Sequence, residues 1–126
     1  MQPDTLFVVS SDFCHWGYDF DYSPYENFND EDQGDCTPIW EFIQALDMAG
    51  IELIEKQDHA AFNTYCEETD NTICGRHPIG ILLAVLGGTA DETATELITY
   101  DQSDRVTEPS QNSVSYASLL TTQQLP

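Results

Sequence analysis

The residues whose types and spacing could carry chemistry lie in Asn71-Thr72-Ile73-Cys74-Gly75-Arg76-His77-Pro78-Ile79-Gly80. A thiol, a guanidinium and an imidazole fall within four residues there, directly before the apolar run Ile79 to Leu86. That run predicts a helix, with Pro78 at its first position, where a missing N–H costs nothing. Cys74 then sits just ahead of a helix N-terminus, and the positive end of the helix dipole and Arg76 both favour a thiolate. A thiolate is a nucleophile or a metal ligand; the plain alternative is a buried structural cysteine at a helix entry. A lone Cys-x-x-His is a weak zinc signature, because a closed site needs four ligands. Gly75 reads as the residue that lets the backbone turn into the helix.

A second group of chemically useful side chains follows Leu6-Phe7-Val8-Val9, a short β-prone run with the pattern of a strand buried on both faces. Ser10-Ser11-Asp12-Phe13-Cys14-His15-Trp16-Gly17 comes next and places an acid and an imidazole at that strand's carboxyl end. Ligands of open α/β sheets bind at such ends. Asp12 and His15 could form a hydrogen-bonded pair, the carboxylate orienting the imidazole for acid/base work. The alternative is a turn aspartate beside a partly buried histidine.

The elements that must position these groups are legible in outline. Residues 18–36 are aromatic and acidic and read as a surface loop. Its Asn29-Asp30-Glu31-Asp32-Gln33-Gly34 tract is not an EF-hand, because the twelfth position falls on Trp40. Thr37 as cap and Pro38 in the first turn open a helix through Ile39, Phe42, Ile43, Leu46, Ile51 and Ile54, which Gly50 could break. Asp58 caps a shorter helix through Phe62, Tyr65 and Cys66, with His59 exposed in its first turn and without a role. Gly87-Gly88 stops the helix that follows the central motif. Thr95–Thr99 and Ser113–Leu119 read as strands around a polar loop, 102–112. Val114 and Tyr116 share one face of the last strand, Ala117 and Leu119 the other. The order is β-α-α-α-β-β in one α/β domain spanning 1–126. Three strands make a poor sheet for so buried a first one, which points to a complementing chain or a shortened protein.

Charge excludes some functions outright. Against 23 acidic residues stand only Lys56, Arg76 and Arg105, for a formal charge of −20. Nucleic acid and anionic membranes need a basic footprint and are excluded as partners. Charge of this size makes the compact state repel itself, and salt screens the repulsion. A salt-rich cytoplasm is one explanation; an ordinary acidic surface is the other. No early apolar stretch resembles a signal peptide and no run reaches transmembrane length, so a cytoplasmic protein with reduced Cys14, Cys36, Cys66 and Cys74 is expected.

Taken together, Leu6 to Gly17, Ala45-Leu46-Asp47, Asn71 to Gly80 and Ser113-Val114-Ser115-Tyr116-Ala117 resemble the Memo family, over nearly the whole chain but only the C-terminal part of a family member. The resemblance implies a fold similar to class III extradiol dioxygenases, here partial, with the N-terminal half of the sheet absent. It implies a metal pocket made of two histidines from that half together with a cysteine, which here is Cys74. His15 is then a ligand or pocket acid/base and Asp12 its neighbour; Trp16, Arg76 and His77 belong to the pocket wall or its support. Copper or iron(II) suits a thiolate beside imidazoles. The resemblance also implies redox chemistry, cell motility signalling and phosphotyrosine-containing receptor peptides as partners, although the acidic loop argues against a phosphopeptide on this surface. Neither N-terminal metal histidine is present. The alternatives are a non-catalytic interaction protein and a truncated fragment with an incomplete site, inactive alone.

Overall fold

A computed structural model describes residues 5–25 and 37–124. The Asn29–Gly34 tract, Cys36 and most of the expected acidic loop lie outside the described residues. The described elements are β1 (His15–Trp16), a 3₁₀ turn (Tyr18–Phe20), α1 (Ile39–Glu55), α2 (His59–Thr69), α3 (Arg76–Gly88), β2 (Thr93–Gln102) and β3 (Ser113–Gln123). They form a small α/β unit, three helices against a three-stranded antiparallel sheet of order β1-β3-β2.

The first helix is fixed by its apolar stripe. Ile39, Ile43, Ile51 and Ile54 are buried along one face. Pro38, not Thr37, is the N-cap, and no side chain caps the end. Gly50 does not break the helix: a Cβ there would stand 2.7 Å from Tyr65 Cε1, so the glycine lets α2 approach closely. Asp58 caps α2 as expected, accepting from Ala61 N at 3.0 Å. Pro78 is the third residue of α3, still among the N–H groups that have no partner within the helix. Gly87 and Gly88 are the last residues of that helix, with Thr89 as C-cap.

Phe13, Ile51, Ile54, Phe62, Ile73, Ile79 and Leu83 fill the space between the helices and the sheet. Burying each such side chain contributes about 1.5–3 kcal/mol before entropy is counted. Leu97, Tyr100, Ala117 and Leu119 of β2 and β3 pack onto this core, whereas Tyr116 and Leu120 face outward. The inward and outward sets of β3 therefore follow the alternation in its sequence. The hairpin is long, running from Gln102↔Ser115 to Thr93↔Gln123, with an irregularity between Leu97 and Thr99. A second cluster joins Cys14, Trp16, Ile39, Ile43 and Val106. The loop expected to be merely polar thus buries Val106, whose carbonyl accepts from Trp40 N at 3.0 Å.

One expected element is absent. Leu6–Val9 is not a strand: Leu6 and Val8 are 84% and 81% exposed, and the segment makes no backbone hydrogen bond among the described residues. The chain joins β3 only from Phe13, whose N–H donates to Ser115 O at 2.9 Å. An apolar run becomes a strand only where a neighbour satisfies its N–H and C=O groups, and Leu6–Val9 has none here.

With a formal charge of −20, melting temperature is expected to rise by several degrees between millimolar and molar sodium chloride. Thermal melts across that range check this; a flat profile would show that self-repulsion does not limit the fold.

Candidate functional site

The two chemically rich stretches lie side by side along a seam. Thr72 Oγ1 accepts the His15 N–H at 2.6 Å and donates to the His15 carbonyl at 2.9 Å. At the other end Ser11 Oγ accepts the Gly75 N–H at 2.8 Å and donates to the Asp12 carbonyl at 2.8 Å. Between these ends the Asp12 N–H points at Cys74 Sγ, 3.3 Å away. The seam explains Gly75: its φ of −96° is ordinary, but a Cβ would stand 2.3 Å from Ser11 Cβ. Gly75 is required by close approach, not by a turn.

His15 is held in one orientation by its partners. Its Nδ1 lies 3.0 Å from Phe13 O and 3.2 Å from Thr72 O. Both are carbonyls, so Nδ1 carries a proton and Nε2 is the ring nitrogen that can offer a lone pair. That is the arrangement of a metal-ligating or base histidine, whose far nitrogen is fixed by a backbone carbonyl. Phe20 packs edge-on against the ring, centroids 5.1 Å apart.

The other expected residues divide. Cys74 is exposed and its sulfur lies on the seam. Asp12 also lies on the seam, but its carboxylate makes no hydrogen bond to His15, whose Nδ1 is taken by the two carbonyls. Trp16 is a buried support, its Nε1 donating to Pro24 O at 2.8 Å. Arg76 and His77 are turned elsewhere, lining a cleft between α2 and α3 with Cys66 and His59. His59 is half-buried, its Nε2 accepting from Asn63 Nδ2 at 3.1 Å. Among the described residues, no group of three or more His, Cys, Asp or Glu side chains is placed to hold a metal ion. Cys14, Cys66 and Cys74 are free thiols, and burial, reinforced by the Asp47 charge, pushes the Cys14 thiol far up, leaving it inert.

A residue without an expected role organises the floor beneath the seam. Asp47 is completely buried on α1 and accepts from Cys14 N at 3.2 Å, Asn71 Nδ2 at 3.0 Å and the Tyr100 hydroxyl at 2.6 Å. Burial raises its carboxyl above the ordinary range, and hydrogen bonds from Ser115, Tyr100, Asn71 and the Cys14 backbone pull it partly back. Asn71 Nδ2 also donates to the Tyr65 hydroxyl at 2.9 Å, which donates to Leu46 O at 2.5 Å. An acid at the centre of the stripe Ile43, Asp47, Ile51 was the available signal.

Comparison with known proteins decides the relationship. A family model described as Memo-like protein matches residues 1–120. The chain belongs to the Memo family. Protein MEMO1 of Rattus norvegicus and that of Homo sapiens are each 44% identical over 118 residues, covering 91% of this chain and 37% of each relative. The memo-1 homolog of Caenorhabditis elegans is 42% identical over 120 residues, 92% of this chain and 33% of that protein. This chain therefore spans little more than a third of the length of these Memo relatives. The stretches that carry the likeness to the Memo family meet around one carboxyl: Cys14 and Asn71 hydrogen-bond Asp47, and Ser115 shares with it the Tyr100 hydroxyl. Among the described residues no helix is long and apolar enough to cross a membrane.

Proposed function

We propose that this Memo-family chain contributes Cys74 and His15 to a pocket for a redox metal, copper or iron(II), with Asp12 beside them. The observation that carries this reading is the fixed orientation of His15, with Nδ1–H donated to two carbonyls and Nε2 left as the nitrogen able to ligate. A thiol sulfur and an imidazole nitrogen are the ligand types that copper and iron accept. The described residues hold two such donors and not a closed set, so further ligands come from outside them. In this reading 1–126 is the C-terminal portion of a fold similar to the extradiol dioxygenases, completed by another chain or segment. The metal, when bound, supplies one-electron chemistry. The chain's own contribution is to orient His15 through Phe13 and Thr72, to place the Asp12 backbone at the sulfur, and to offer His15 Nε2 as a metal ligand. Links to motility signalling and to phosphotyrosine peptides enter the proposal only through the Memo family.

Anaerobic titration with iron(II) or copper(I) tests it. The 126-residue chain is expected to hold about one equivalent weakly, Cys74→Ala to abolish binding, and Thr72→Ala, which frees the His15 backbone, to weaken it about tenfold. Unchanged affinity in Cys74→Ala ends the reading. A second reading, a non-catalytic interaction protein that keeps the fold, is supported by the two-donor site and by the exposed Leu6–Val8 segment. It gains if neither metal binds while the chain melts cooperatively.

A further inference from the structure

The cleft between α2 and α3 is separate from the Cys74 seam, and its composition runs against the rest of the molecule. The chain has three Lys/Arg and three His in all, and Arg76, His59 and His77 line this one cleft of about 420 Å³. That is the size range of small-ligand pockets. In a protein of net charge −20 an arginine would be expected to find a carboxylate, yet no described residue hydrogen-bonds the Arg76 guanidinium. Its five N–H donors remain available in a fork that matches a carboxylate.

Gly80 gives an independent observation. It is buried in the interior of α3, where alanine would favour the helix. No described residue requires glycine there: a Cβ would meet Asn63 Oδ1 and His59 Nε2 at 3.6 Å each, ordinary contact. An added methyl would fill the gap between the His59 and Asn63 side chains, so glycine keeps the floor of the cleft one methyl deeper than alanine would. Ile81 and Ala84 supply an apolar wall, and Glu67 stands on the same lining, where its charge opposes any bound anion and a dianion more than a monocarboxylate.

We propose that the α2–α3 cleft binds a small monocarboxylate with a short apolar tail, its carboxylate on the Arg76 guanidinium and its tail over Gly80 against Ile81 and Ala84. The proposal does not rest on the metal reading. The test uses the 126-residue chain without metal, titrated with isovalerate, with neutral 3-methylbutanol and with inorganic phosphate, and followed by amide spectra. Isovalerate is expected to give saturable shifts centred on His59, Arg76, His77 and Gly80, and the alcohol none there. Arg76→Gln is expected to weaken binding roughly tenfold or more. Gly80→Ala is expected to raise the melting temperature while weakening binding about threefold. Arg105→Gln, whose guanidinium lies 4.7 Å over the Trp40 ring, is expected to leave affinity unchanged. Parent-like affinity in both Arg76→Gln and Gly80→Ala, shifts centred elsewhere, or no saturation overturns the proposal. Phosphate binding more tightly than isovalerate overturns the carboxylate class.

Discussion

Asp47→Ala is expected to lower the unfolding free energy by about 3–5 kcal/mol, enough to leave little folded protein at 37 °C. The substitution removes the acceptor for Cys14 N, Asn71 Nδ2 and the Tyr100 hydroxyl in a place water does not reach. Tyr100 can still donate to Ser115 Oγ at 3.2 Å and Asn71 to Tyr65, but the Cys14 N–H has no substitute. A buried donor left without a partner costs its full desolvation. Asp47→Asn is expected to be close to neutral. Its carbonyl oxygen keeps the Cys14 and Asn71 bonds, while its amide faces the Tyr100 and Ser115 hydroxyls, both of which can accept. Urea melts of the two variants check the contrast; equal losses would show that charge, not acceptor geometry, matters at this position.

The same pair gives a pH signature with a definite sign. Burial raises the folded-state pKa of Asp47 above its unfolded value. Protonated Asp47 therefore favours the folded chain, and that contribution is full below the unfolded pKa, about 3.9. It is lost as pH rises through the higher folded value. Asp47→Asn has no such loss, so its stability relative to the parent is expected to increase from pH 4 to pH 7. A difference that stays constant, or falls, over that range would place the carboxyl in a less buried setting than its contacts describe.

Asp47 also shows where sequence reasoning ran short. The three helices were readable because their apolar residues recur with helical spacing and because Asp58 is a capping residue with a clear geometry. The last strand was readable from its alternation. Leu6–Val9 was misread because composition states what a segment prefers and not whether a neighbour exists to satisfy its backbone. Cys74 and His15 stand out in the sequence and lie on adjoining segments of the seam, but their hydrogen-bond partners were not legible. The sequence suggested a carboxylate for His15, and two carbonyls, from Phe13 and Thr72, hold it instead. Arg76 was placed beside Cys74 on separation alone. A helix turns by about 100° per residue, and the α3 start carries the guanidinium round to the α2 side.

Gly75→Ala is expected to destabilise the chain by about 2–3 kcal/mol and, unlike a core truncation, to open the seam that positions Cys74. A methyl at Gly75 would lie 2.3 Å from Ser11 Cβ, 2.6 Å from Ser11 Oγ and 2.9 Å from the Ser10 carbonyl. Either the start of α3 or the Ser10–Asp12 backbone must move, and the contact from Asp12 N to Cys74 Sγ goes with it. Gly87→Ala is the control: nothing lies within 4 Å of its added Cβ, so the helix gains slightly or does not change. Thiol labelling reads the site itself. The Cys74 labelling rate is expected to change in Gly75→Ala, while Cys14 and Cys66, both buried, stay protected below the melting transition. Ser11→Gly in the same chain removes two of the three clashing atoms but also the hydroxyl that receives the Gly75 N–H. The double variant is therefore expected to recover part of the lost stability and not all of it. Full recovery would mean that the Ser11 hydroxyl contributes nothing to the seam, and no recovery would mean that the Ser10 carbonyl alone sets how closely the two segments can lie.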